Sequence, residues 1–302
     1  MKKKSRTAAA TLARKAAAPP RPAAPMPGWL RFAPVFIALA VLAVYATAPS
    51  LKFIEFDDNE ILKQHYFIIG DISKIKVAFT TDAFLGTNGT FYRPLQTVSF
   101  MLDALVGGPK PFIYHLTNLL LHIASSLCVF WLLLTLGYQR LPSFLLALLF
   151  ALHPMFVPMV AWVPTRGDLL LSIFVIISFI LFIKSFREKR PVLVLCHGVI
   201  FFLALLAKET AVAVPPLCLF YYYLEFRKTP ARKLIKGYFV VWLIAGAVWY
   251  YLHSALHEVG DNSVGLVALI LSSVVNIAAG VALFLGMFGL AKRFENQSKA
   301  PP

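Results

Sequence analysis

The chain has 302 residues, 59% of them hydrophobic, and a mean hydropathy of +0.73, well above the level of a soluble globular domain. Its formal net charge is +15. That surplus would suggest nucleic acid if it were spread over one surface, but it is sorted by the apolar segments and reads as a membrane-topology signal. The three cysteines, Cys128, Cys196 and Cys218, all lie within apolar runs. That placement excludes a disulfide framework and offers no metal-ligand spacing.

Residues 1–31 are rich in Lys, Arg, Ala and Pro and lack apolar periodicity. They read as a disordered basic cytoplasmic tail. Apolar stretches long enough to cross about 30 Å of hydrocarbon are predicted near 32–49, 111–136, 143–162, 168–186, 191–207, 209–226, 237–254 and 264–290. The first lacks a convincing small-residue cleavage site and is expected to remain as an uncleaved helix. The fold class is therefore all-α, a polytopic transmembrane bundle of about eight spans. A transmembrane region over 32–291 contains a large first outer loop over 50–110, and a short cytoplasmic tail follows over 292–302. Within the loop, Glu60–Ile69 and Pro94–Leu105 are expected to form short helices on the membrane surface. Asn88-Gly89-Thr90 fits a glycosylation acceptor, although Asn-Gly is first of all a turn.

Placing the N-terminus in the cytoplasm puts 21 of the 29 Lys and Arg on the inner side, and 11 of the 14 acidic residues on the outer side. The outer face then collects most of the polar residues with chemical potential. Asp57, Asp58 and Glu60 follow the first span. Such crowded carboxylates repel one another, so partial desolvation is expected to raise a pKa and suit one to accept a proton from a hydroxyl; a solvated acidic loop is the alternative. Arg93, in Tyr92-Arg93-Pro94, suits either a phosphate or a neighbouring carboxylate. His115, Asn118 and His122 share a helix face suited to interhelical hydrogen bonds. His153 lies deeper than Arg166 and Asp168, and Asp168 fits a helix N-cap. Arg166 at that helix start opposes the dipole and so asks for a partner. Lys208-Glu209 fits either a structural ion pair or a phosphate clamp.

Several stretches occur together in order: the acidic pair Asp57-Asp58, Tyr92-Arg93-Pro94-Leu95 with Ser99, Leu102 and Asp103, Tyr114 through His122, Phe150 through Pro154, Arg166-Gly167-Asp168-Leu169-Leu170, and Ala207-Lys208-Glu209. Over roughly 50–225 this set resembles the membrane-integral GT-C glycosyltransferases, closest to the transmembrane and tetratricopeptide-repeat O-mannosyltransferases and their bacterial relatives. The resemblance implies Asp57 or Asp58 as catalytic base, Arg93, Arg166 and Lys208 as donor-phosphate contacts, and Glu60, His115, His153, Asp168 and Glu209 as residues that shape the site. It implies a polyprenyl-phosphate-linked sugar as donor and a protein or glycan hydroxyl as acceptor. Membrane lipids are the other expected partners, and nucleic acid is not one. No cofactor or metal ligand is expected, with a divalent cation left open. The expected place is a bacterial inner membrane, with both termini cytoplasmic and the site periplasmic. Where that family usually carries Glu a few residues after the His-Pro, this chain has Pro158, and tetratricopeptide repeats are not expected. A transporter or flippase for lipid-linked sugars and a catalytically inactive scaffold are the competing readings.

Overall fold

A computed structural model describes residues 27–86 and 91–257, with side chains through residue 254. The chain divides into two units, 1–30 with 278–302, and 31–277. The described part of the first is residues 27–30, which enter the 3-10 turn Gly28–Phe32. The span expected at 264–290, the tail 292–302 and the Asn88-Gly89-Thr90 sequence lie outside the described residues.

The described residues form helices and no strand. The principal ones are α1 (Ala33–Val44), α2 (Pro94–Gly107), α3 (Pro111–Leu136), α4 (Arg140–Leu152), α5 (Arg166–Glu188), α6 (Val192–Ala207), α7 (Val214–Tyr221) and α8 (Leu234–His257). Proline opens α2 and α3, where its missing N–H costs no helix bond. Gly137 closes α3 at φ +96°, and the N–H of Tyr138 reaches back to the Leu133 carbonyl at 3.1 Å, a left-handed helix stop.

Four helical stretches are long and apolar enough to cross a membrane: Gly28–Ser50, Pro111–Leu136, Val163–Glu188 and Pro230–Ser254. The predicted 143–162 span is instead α4 followed by Pro154–Ala161, bent by 50° at the break. His153 there is extended and Pro154 cannot continue the helical ladder. Helix α6 is a shorter apolar helix. The predicted 209–226 span is broken into a 3-10 turn (Glu209–Ala213), α7 and a π-helical turn (Tyr222–Phe226). Its consecutive Pro215 and Pro216 sit in the first turn of α7 and force a fresh helix start. The described residues thus hold four such stretches, or five if the bent pair is one span, and the eighth predicted span lies outside them.

Helix α5 packs on α3 and α6, α6 packs on α8, and α1 packs on α3 and α4. An aromatic core of Phe179, Phe182, Phe186, Phe201, Tyr238 and Trp242 joins α5, α6 and α8. Polar contacts are laced through it: the Trp242 indole donates to His197 Nε2 at 2.7 Å, and the Ser185 and Tyr238 hydroxyls meet at 2.6 Å. Hydrogen bonds of this kind hold helices together where both sides are already apolar. Large side chains on the outside, such as Leu39, Leu149, Leu195 and Leu243, are 54–74% exposed, as lipid-facing surfaces require.

The segment between α1 and α3 is more than a loop. A π-helical turn (Asn59–Gln64), two short helices (Tyr66–Ile69 and Ile75–Thr80) and α2 build a second core around Ile61, Leu62, Ile69, Phe100 and Met101. Tyr114 from α3 and Val163 from the turn before α5 complete that core, which fixes this segment over one end of the bundle.

Candidate active site

Asp57 and Asp58 are adjacent in sequence but differ in surroundings. Asp58 is fully buried and accepts the Ile54 N–H at 2.8 Å, which closes the chain on itself before the π-helical turn. Its second oxygen has no hydrogen-bond partner among the described residues. Burial is the main force that pushes its carboxyl up to about 6; the Asp57 charge adds to the rise and the Ile54 N–H opposes it. Asp57 is half-buried, its carboxyl also raised by burial, and it lines a cavity of about 160 Å³.

Three distant parts of the chain supply charges to the same cavity: Arg93 at the start of α2, Asp168 in the first turn of α5 and Lys208 at the end of α6. The Arg93 fork is held by Glu209, with Nε donating to Oε2 at 3.1 Å and Nη2 to Oε1 at 2.7 Å. The guanidinium also stacks 4.6 Å from the centre of the Phe91 ring. Lys208 Nζ donates to Asp168 Oδ1 at 2.6 Å. Asp168 is well placed for this, because the start of α5 favours a negative charge. Each cation thus has a carboxylate partner while keeping spare donors, Nη1 on Arg93 and two ammonium protons on Lys208. The four charges that line the cavity balance, and Glu209 behind Arg93 adds one negative charge.

Gln96, Trp162 and Thr165 complete the polar wall. The Gln96 side-chain oxygen is buried and unpartnered among the described residues, so it remains able to accept a hydrogen bond. Gly167 lets α5 approach it: a Cβ there would stand 2.4 Å from that oxygen. The sequence reading missed Gln96, Trp162 and Thr165, since a lone polar residue in a partly apolar helix carries no signal for the cavity it faces.

The other expected site residues lie elsewhere. Arg166 does not line the cavity. It is 0% exposed, with its guanidinium held by four neighbours: Nε donates to Asn118 Oδ1 at 2.7 Å, Nη2 to the Tyr114 carbonyl at 2.6 Å, Nη1 pairs with Asp103, and Phe100 lies beneath it. Asn118 in turn donates toward the carbonyls of Met159, Trp162 and Val163 at 3.2–3.3 Å, which ties the approach to α5 onto α3. The expectation of a phosphate contact at Arg166 gives way to this internal placement, because every arm of its fork already has a protein partner. Asp168, the partner that sequence proximity suggested for it, pairs with Lys208 instead. His115 is buried within α3. His153 is exposed and its Nδ1 accepts the Met155 N–H at 3.2 Å, so it caps a turn. Glu60 is exposed. None of these three lines the cavity. No group of three His, Cys, Asp or Glu among the described residues is placed to hold a metal ion.

No family model matches the chain, and no solved structure matches it. Curated proteins do. It is 27% identical over 221 residues to protein O-mannosyl-transferase TMTC3 of Mus musculus, covering 70% of this chain and 22% of that protein. It is 34% identical over 152 residues to protein O-mannosyl-transferase TMTC2 of Homo sapiens, covering 47% of this chain and 18% of that one. With protein O-mannosyl-transferase Tmtc3 of Drosophila melanogaster it shares 28% identity over 235 residues, 65% of this chain and 24% of the relative. The chain spans about a fifth to a quarter of the length of these relatives. The resemblance carried by its motifs is thus a homology, and its homologues, at 27–34% identity, are the TMTC protein O-mannosyl-transferases.

Proposed function

We propose that the chain is the membrane core of a glycosyltransferase that moves a sugar from a polyprenyl-phosphate donor to a hydroxyl of a protein or glycan acceptor. The observation that carries this reading is the single cavity in which Asp57, Arg93, Asp168 and Lys208 meet from four separate segments. In the reaction the acceptor oxygen bonds to the anomeric carbon, the bond from that carbon to the phosphate oxygen breaks, and its electron pair stays on the phosphate. Asp57 takes the acceptor proton, as its raised carboxyl pKa favours. Spare donors on Arg93 and Lys208 stabilise the charge that grows on the departing phosphate. Asp58 shapes the loop that presents Asp57. At about 160 Å³ the cavity is below the roughly 300–1,000 Å³ of drug-sized pockets. It suits the junction of sugar and phosphate, and leaves the polyprenyl chain in the bilayer. The names of the homologues make mannose the sugar to test first.

The direct test is a transfer assay with purified protein, polyprenyl-phosphate mannose and hydroxyl-bearing peptides. Release of polyprenyl phosphate coupled to peptide glycosylation supports the reading. Movement of the lipid-linked sugar across a bilayer without glycosylation favours transport.

Orientation has its own test. The Lys and Arg distribution supports a cavity on the non-cytoplasmic face, with residue 189 on the cytoplasmic one. In a background lacking Cys128, Cys196 and Cys218, an impermeant thiol reagent applied from outside is expected to modify Gly89→Cys and spare Lys189→Cys. The reverse pattern would place the cavity in the cytoplasm.

Arg93 gives a kinetic test. Arg93→Ala is expected to lower kcat/KM at least about tenfold, or about 1.4 kcal/mol. Arg93→Lys should rescue little, since an ammonium lacks the bidentate fork. Arg93→Ala alone leaves Glu209, whose side chain is 5% exposed, as an unpaired buried carboxylate. The double variant Arg93→Ala/Glu209→Gln removes that penalty and should recover stability while leaving transfer low. Recovery of transfer in the double variant would make Arg93 structural.

A further inference from the structure

A crevice between two helices lies at the other end of the bundle from the charged cavity. Two cavities, of about 370 and 610 Å³, run along the crevice between α6 and α8 and share Leu195 and Val241. Their walls are apolar for most of their length, with Phe202, Ile244 and Val248 toward one end. The opposite end is lined by Pro191, Val192 and Lys233. Both helices begin at this end, α6 at Val192 and α8 at Leu234 directly after the 3-10 turn Pro230–Lys233. Arg232, Lys233 and Lys236 are exposed at this end, and none has an ion pair among the described residues.

Length and charge identify the occupant. From Lys233 to Val248 a helix rises about 22 Å at 1.5 Å per residue, more than the roughly 15 Å of one hydrocarbon leaflet. A long apolar chain fits such a crevice. Its polar end must be an anion, since unpaired cations and helix starts converge on it. The chain's own apolar run at 264–290 is followed by Lys292 and Arg293, of the same sign as Lys233, and so lacks the charge this end requires. The sugar donor is a poor match too. Its phosphate belongs at the cavity beside Lys208, at the far end of α6, about 24 Å away over the 16 residues of that helix.

We propose that the α6–α8 crevice holds one acyl chain of an anionic glycerophospholipid, with its phosphate at Lys233 between the two helix starts. Such a lipid fastens α8 to the bundle in the opposite leaflet from the sugar-transfer cavity. Selection is by head-group charge, and salt weakens it only partly, because the acyl chain is held by burial.

Native mass spectrometry tests this without any transfer assay, so its outcome stands apart from the proposed activity. The full chain, stripped of lipid in detergent, is offered equal amounts of phosphatidylglycerol and phosphatidylcholine. Phosphatidylglycerol is expected to be retained about tenfold over phosphatidylcholine. Lys233→Glu should erase that preference. Leu195→Trp, which fills the crevice from an exposed position, should reduce retention of both lipids while the helical circular dichroism is unchanged. Equal retention of the two lipids by the unaltered chain overturns the proposal. Loss with Lys233→Glu but not with Leu195→Trp also overturns it, since that pattern describes surface adsorption. Retention of neither lipid overturns it as well.

Discussion

Replacing Asp57 by Asn is expected to lower kcat for sugar transfer by about 10²- to 10⁴-fold, the range for losing a general base, or about 3–5 kcal/mol of barrier. The protein should still insert and fold, because Asn fills the same space and Asp57 has only a half-buried position at the cavity wall. Asp58→Asn should cost much less. An Asn oxygen there can still accept the Ile54 N–H that shapes the loop, and Asp58 itself is sealed from the cavity by burial. The pH profile supplies an independent readout. A base must be deprotonated to act, so kcat/KM should fall as pH falls through the Asp57 pKa. Burial raises that pKa, so the acid limb should lie above the ordinary carboxylate value of about 4. If Asp58→Asn abolishes transfer and Asp57→Asn does not, the two roles are exchanged. If neither substitution affects transfer, the base lies elsewhere, with Asp168, the other carboxylate that lines the cavity, the next candidate.

Arg166→Ala is expected to destabilise the protein by about 3–5 kcal/mol, because removing one partner of a buried pair leaves the other charge uncompensated. That partner is Asp103, whose side chain is 8% exposed and whose remaining contact is the Thr117 hydroxyl at 2.7 Å. The Asn118 and Tyr114 acceptors would lose their donors as well. The measurement is thermal unfolding in detergent, read by near-ultraviolet circular dichroism. Asp103→Asn should also destabilise, and the pair Arg166→Met/Asp103→Leu should recover much of the loss. Asp168→Asn should leave stability nearly unchanged, because the Asp168 and Lys208 side chains are 35% and 19% exposed, and such pairs contribute little. Folded Arg166→Ala protein with normal stability but impaired donor turnover would return Arg166 to the phosphate.

Much of the membrane design was legible in the sequence. Long apolar runs marked α3, α5 and α8 because the bilayer sets a minimum length and lets few charges through. The proline in His153-Pro154 and the pair Pro215-Pro216 were visible too, but hydropathy averages over them. Two predicted spans therefore proved bent or broken where the backbone could not continue its hydrogen bonds. The segment over 50–110 read as loop with surface helices. Its short helices are present, yet they bury Ile61, Ile69 and Phe100 in a core with Tyr114, and no periodicity within four to six residues announces such a core.

The site divides the same way. Sequence position alone accounts for the residue types that reach this end of the bundle: Asp57 after the first span, Arg93 before Pro94, Asp168 at a helix start and Lys208 at a helix end. Those positions follow from local chemistry, the reach of apolar spans and the preferences of helix termini. Which of two adjacent carboxylates faces the cavity was set by packing, since successive residues on a turn point in different directions. It also decided the pairing of the charges. Arg93 meets Glu209 across 116 positions, Arg166 meets Asp103 across 63, and Lys208 meets Asp168 across 40. Coulomb attraction depends on distance in space, and that distance is set by how the helices pack.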